Sequence, residues 1–227
     1  MPRDPRRLEY LVAVDLAQGG ADWTALAVLE RHLSRARDAD YHVTHLERWR
    51  DARTALVPER VGVVTQRLVH LHAERDLAFF DRSPVTAPAL TLLVDRTGVG
   101  PFGLDPLRAA GFAPRGITIH GGDAVSRDDA GGFRVPKRDL AGAVGVLLQS
   151  RRLLIAEALP LAAVLRRELE SFRAKITLAG HDTYGAGADW RDGNHDDLVL
   201  AVAMAAWLGE HEGRYAALED LAPYFAW

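Results

Sequence analysis

Four aspartates draw attention because each closes or opens an element, while the three places they occupy lie far apart along the chain. Asp15 follows the apolar run from Leu8 to Val14. Asp95 follows the short apolar run ALTLLV, residues 89 to 94. Asp196 and Asp197 head the apolar segment that reaches Trp207. Carboxylates set side by side repel, and ionising them together is costly unless a cation neutralises them. Hard oxygen donors of this kind suit Mg²⁺ or Mn²⁺, and two such ions about 4 Å apart stabilise both the attacking and the leaving oxygen of a phosphodiester displacement. Taken singly, each aspartate reads as an ordinary strand-end or helix-cap residue. Taken together they predict a divalent-cation site, on one condition: the first and fourth strands must be neighbours and the last helix must pack across them.

The elements that would meet this condition can be read from periodicity. Leu8 to Val14 is apolar and β-branched and runs into the turn-forming AQGGAD; Trp23 to Leu29 and Tyr41 to Trp49 complete a strand meander. Pro58 opens a helix, with Val61, Val64, Leu68 and Leu71 recurring at helical spacing. Ala89 to Val94 has the pattern of a strand covered on both faces. The glycine-rich turn TGVG leads to a helix over Leu104 to Ala110 and a strand over Gly116 to His120, and Gly121 to Phe133 reads as a loop or small hairpin. A helix from Pro136 to Gln149, a strand from Arg152 to Ala156, a helix from Leu161 to Phe172 and a strand from Lys175 to Leu178 follow. The last helix is expected from about His195 to Trp207, capped by Asn194 or a polar neighbour. Strands first as a meander and then alternating with helices imply an α/β protein with a mixed sheet.

Composition narrows the chemistry further. The chain has 227 residues, 48% hydrophobic and 26% charged, which points to a folded single domain spanning 1–227 and argues against disorder. Without cysteine there is no disulfide, no thiolate zinc site and no cysteine nucleophile, so a metal must sit on oxygen or imidazole. There is no apolar run long enough to span a membrane and no signal-peptide pattern, so a cytoplasmic protein without a membrane partner is expected. The net charge of −3 argues against coating of nucleic acid by bulk charge but says nothing about a local basic patch.

The strings VAVDLAQGGADWTALAVL, LLVDRTGVGPFGLDPLRAAGF and GNHDDLVLAVAMAAW, in this order, resemble the C-terminal nuclease domain of the phage terminase large subunit. The likeness spans about Leu8 to Leu208, and the aspartate pair after a histidine is its most specific part. The resemblance implies a ribonuclease H-like mixed five-stranded sheet, flanked by helices on both faces, whose first three strands form an antiparallel meander. It implies metal ligation by Asp15 and Asp95, with the third ligand from Asp196 or Asp197. Adjacent helical residues point about 100° apart, so the two cannot be equivalent; Asp197 is taken as the primary ligand and Asp196 as an accessory. The implied activity is a two-metal Mg²⁺ or Mn²⁺ endonuclease acting on double-stranded DNA. The implied partners are a separate ATPase motor, a small terminase subunit or a portal. No glycine-lysine step occurs, so the phosphate loop of the family's ATPase domain is absent from this sequence. A junction-resolving or RNA-cleaving nuclease of the same fold, or an inactive DNA- or protein-binding relative, would carry the same sheet.

Secondary candidates surround this core set. Arg48 and Arg50, with Arg53, cluster near a strand end and suit nonspecific phosphate contact, as do His181 in the glycine-rich loop and His195 beside the acid pair. Gly98 and Gly100 read as turn glycines, Asp22 as a turn residue, and Asp123, Asp128 and Asp129 as solvated loop charge. His42, His45, His70 and His72 have metal-like spacing, yet they fall where a strand and a helix already account for it.

Overall fold

The computed structural model of the chain describes residues 7–17, 22–33, 38–50, 56–79, 88–128, 131–179 and 196–221. Three antiparallel strands come first: β1 (Arg7–Asp15), β2 (Thr24–Leu33) and β3 (Asp40–Trp49). After helix α1 (Leu56–Phe79), strand β4 (Ala89–Asp95) lies parallel to β1, with Val14 level with Val94. A 3-10 turn (Pro101–Leu104) and α2 (Asp105–Ala109) lead to β5 (Arg115–His120), parallel to β4. The order β5-β4-β1-β2-β3, with only β2 reversed, is the ribonuclease H-type arrangement.

Three short strands widen this five-stranded centre to eight. Strands β6 (Ser126–Arg127) and β7 (Phe133–Pro136) form a small hairpin against β5, and β8 (Leu153–Ile155) adds to the far side of β3. The sheet is therefore broader than the five strands expected. The hairpin closes where Asp128 Oδ1 accepts the Gly132 N–H at 2.9 Å and Asp128 Oδ2 pairs with Arg96, so Asp128 is a structural residue of the turn.

Strand parity divides the core into two layers. On one face Tyr10, Val12 and Val14 of β1 and Leu92 and Val94 of β4 pack with Val57, Val61, Val64 and Leu68 of α1 and Leu107 of α2. On the other, Leu11, Ala13 and Leu93 meet α3 (Lys137–Gln149), α4 (Ala162–Ala179) and α5 (Asp197–Leu221). Asp15 and Asp95 continue the odd-numbered series and so belong to the α5 side. From Leu198 to Leu208, α5 is buried all round, lying between the sheet and its two companion helices. Its alanines permit this close approach, and at Gly209 an added Cβ would come within 2.5 Å of the Tyr41 ring.

Several expected boundaries differ, with β2 running to Leu33 rather than Leu29 and α1 opening at Leu56 rather than Pro58. Lys175 to Leu178 is not a strand: nothing between Ala162 and Ala179 is glycine or proline, and α4 runs on through these residues. The last helix begins at Asp197 and continues to Leu221, past Trp207. Asn194, His195, His181, Asp129 and Arg53 lie outside the described residues. None of the described helices is long and apolar enough to cross a membrane.

A buried carboxylate cluster as candidate active site

Asp15 and Asp95 stand one step beyond the paired Val14 and Val94, at the C-terminal ends of adjacent parallel strands. The N-terminus of α5 crosses this edge and brings Asp196 and Asp197 to it. All four residues are buried, each less than a tenth exposed. Burial, followed by the negative charges of Asp95 and Asp197, holds the Asp15 carboxyl well above the ordinary carboxylate range, and Asp196 adds to the effect. The Asp95 carboxyl is an immediate neighbour of that of Asp15, so ionising both together is disfavoured. The condition placed on the sequence is thus met in space: β1 and β4 are neighbours and α5 lies across their ends.

Each aspartate is held differently. Asp95 Oδ1 accepts the Thr97 backbone N–H at 2.7 Å and the Thr97 hydroxyl at 2.5 Å, and the same hydroxyl accepts the Ile119 N–H at 2.8 Å. Thr97 therefore locks Asp95 to the next strand. The turn that allows this places Gly98 at φ 84° and Gly100 at φ 67°, left-handed values that explain both glycines without a ligand. The Asp196 carbonyl accepts the Leu200 N–H at 2.9 Å, the turn-closing bond at the start of α5, and its carboxylate lies 3.4 Å from Lys137 Nζ. Asp197 is the first residue of the helix proper. Burial first, then the charges of Asp22 and Asp196, push its carboxyl up to about 7, against a smaller opposing pull from Arg48.

Three charged residues read otherwise from the sequence also belong to this site. Glu168 of α4 is buried, and its Oε2 accepts the Val199 N–H at 3.0 Å, capping α5 from a separate helix. Burial and the neighbouring Asp197 raise its carboxyl to about 7, with Arg48 Nη1 3.8 Å away. The signal in the sequence is an acid at position 168 on the stripe formed by Leu165 and Phe172, where an apolar residue is expected. Asp22, read as a turn residue, returns along the β1–β2 hairpin to act on Asp197. Lys137, which matters in the sequence only for the missing phosphate loop, supplies the cation beside Asp196.

The histidines take other roles. His72 packs edge-on against Tyr10 with ring centroids 5.7 Å apart, completing the α1 stripe in place of Leu71. His42 lies tilted against His32 with ring centroids 4.3 Å apart, His45 lies 3.7 Å from Glu47, and His70 pairs with Glu74 across one turn of α1.

The donor set fits a divalent cation: several hard oxygens in one buried place, mutually repelling and partly kept neutral by protons that a cation would displace. Among the described residues, no three carboxylate or imidazole side chains are already set to hold an ion together. Asp196 is turned to Lys137, whose ammonium group offsets part of the negative charge of the cluster.

No protein-family model matches the sequence, and no curated protein matches it. Among solved structures, the human cytomegalovirus terminase nuclease domain is similar at 14% identity and a TM-score of 0.48, covering 89% of this chain and 84% of that one. A manganese-soaked form of the same domain aligns with a TM-score of 0.44. RuvC of Thermus thermophilus in complex with a Holliday junction substrate aligns at 14% identity and a TM-score of 0.31, covering 87% of this chain and 91% of that one.

Proposed function

We propose that this chain is a metal-dependent endonuclease that hydrolyses phosphodiester bonds in DNA, leaving a 3′-hydroxyl and a 5′-phosphate. The observation that carries the reading is the convergence of Asp15, Asp95, Asp196 and Asp197 at one buried sheet edge, where Asp15 is held protonated well beyond the usual carboxylate range. Perturbed carboxyls gathered in this way are a mark of functional sites. Two Mg²⁺ or Mn²⁺ ions bound there would neutralise the acids, polarise the scissile phosphate and activate water.

The protein's own groups have separable tasks in this reading. Asp15, Asp95 and Asp197 are the ligands, and Asp196 is the accessory that leaves Lys137 when needed. Thr97 fixes the direction of Asp95, and Glu168 fixes the end of α5 that presents the acid pair. Arg48 moderates the negative charge at the rim, and Arg50, His181 and His195 are the proposed DNA contacts.

The test is cleavage of supercoiled plasmid by purified protein with Mn²⁺, compared with Asp95→Ala. Parent activity lost in the variant supports the reading, and equal rates for the two sink it. Four-way junctions and RNA–DNA hybrids as parallel substrates decide which polymer is preferred. Calorimetric titration with Mn²⁺ separates an enzyme from a binding domain that has lost its metal.

A further inference from the structure

Beside the carboxylates lies a basic and aromatic group that supplies no metal ligand. Thr24 pairs with Trp49 and Ala25 with Arg48 across β2 and β3, so Trp23 falls level with Arg50. Ala25 and Ala27 of β2 and Leu46 of β3 belong to the α5 face of the sheet, and alternation puts Trp23, Arg48 and Arg50 on that face too. There they stand at the end where α5 begins. The Arg48 guanidinium lies 4.6 Å from the Trp23 ring centroid and that of Arg50 4.4 Å. Arg48 reaches inward, with Nη1 3.8 Å from Glu168 Oε1, and its charge is felt by Asp197. Arg50 is exposed, and among the described residues its guanidinium has no carboxylate partner.

A guanidinium stacked on an indole uses its flat face and keeps its N–H donors in the plane, where they match the oxygens of a phosphate. The stacking also holds two guanidinium groups against one ring, and among the described residues only Arg48 of the two has a carboxylate beside it. Anions are the natural complement, and a neighbouring acidic cluster able to take cations sets where the reacting phosphate of the same polymer would lie. We propose that Trp23, Arg48 and Arg50 form a seat for the sugar-phosphate backbone of the DNA strand that enters the carboxylate cluster, with Arg50 making the phosphate contact and Trp23 holding it in place. The proposal rests on the nuclease reading and adds the path of the substrate to it. Contacts of this kind position the strand and carry no sequence preference.

The experiment measures binding of the full chain to a fluorescent DNA duplex in Ca²⁺ across a salt series, with plasmid cleavage in Mn²⁺ alongside. Arg50→Ala is expected to weaken binding about 3- to 10-fold and to make the slope of log affinity against log salt shallower by about one, the loss of one phosphate contact. Trp23→Ala is expected to lose a similar amount, and Trp23→Phe, which keeps an aromatic face, to retain most of the affinity. Arg67→Ala, on the exposed side of α1 across the sheet, should bind as the parent does. Should Arg50→Ala and Trp23→Ala match the parent in affinity and slope while the parent still cuts plasmid, the seat is wrong and the nuclease reading stands. A parent that neither binds nor cuts DNA overturns both.

Discussion

At the scale of single residues, the cluster is defined as much by what holds the aspartates as by the aspartates. Thr97 gives Asp95 two hydrogen bonds and is itself tied to β5 through the Ile119 N–H. Removing its hydroxyl leaves the backbone bond and the fold intact but frees the carboxylate to rotate, and groups that orient a metal ligand typically matter by 10- to 100-fold. Thr97→Val is therefore expected to lower Mn²⁺ affinity and cleavage about 10-fold or more, whereas Thr97→Ser, which restores the donor, should stay within about 3-fold of the parent. Equal Mn²⁺ affinities for the valine and serine variants, measured by calorimetry, would remove Thr97 from the site. The sequence makes Asp95 legible because it ends a buried strand, and the glycines legible because the turn needs positive φ. Thr97's part is invisible there, since the Ile119 N–H that it meets belongs to another strand 22 residues away.

At the scale of elements, α5 has to be both deeply buried and accurately placed, and these requirements act at different ends. Along its middle, alanines and Gly209 let it lie close to the sheet and to Tyr41, while Glu210 accepts the Tyr41 hydroxyl at 2.8 Å and pairs with Arg152. At its start, orphan N–H groups would face a cluster of acids, and Glu168 takes the Val199 N–H from outside the helix. A comparison of Glu168→Gln with Glu168→Ala isolates this cap, because both lose the charge and only glutamine keeps an acceptor. The alanine variant is expected to unfold at lower urea, by about 1 kcal/mol relative to glutamine, the usual worth of a helix cap. Superimposable urea curves would show that the bond contributes nothing. The sequence pattern marks α5 as apolar from Leu198 onward, yet its cap comes from α4 and leaves no local trace. The same limit explains the mistaken strand at 175–178: Ile176, Thr177 and Leu178 suit a strand, but an unbroken run without glycine or proline before them carries α4 onward.

At the scale of the whole molecule, the sheet trades stability for a concentration of negative charge at one edge, and pH exposes that trade. Asp197 and Glu168 are pushed up to about 7 from ordinary values of 3.8 and 4.5, chiefly by burial and then by neighbouring acids. A carboxyl whose folded pKa lies above its unfolded value keeps its proton longer in the folded chain. Its contribution is thus fully present below the unfolded value and is lost as pH climbs through about 7. Glu30 and Glu210, lowered by partners that include Arg75 and Arg152, act in the opposite sense near and below 4.5, and His45, lowered by burial, opposes below 6.5. Comparing the parent with Asp197→Asn cancels these other groups. In EDTA the substitution is expected to raise the melting temperature at pH 8 by a few °C, the response of a chain this size to about 1 to 2 kcal/mol, with the gain shrinking toward pH 5. Mn²⁺ at pH 8 should raise the parent's melting temperature by at least as much, because a cation relieves the same repulsion, and should do little for the variant. A difference between parent and variant that stays constant from pH 5 to 8 would mean that Asp197 is not under strain from its neighbours, and the argument for a cation at this edge would lose its physical basis.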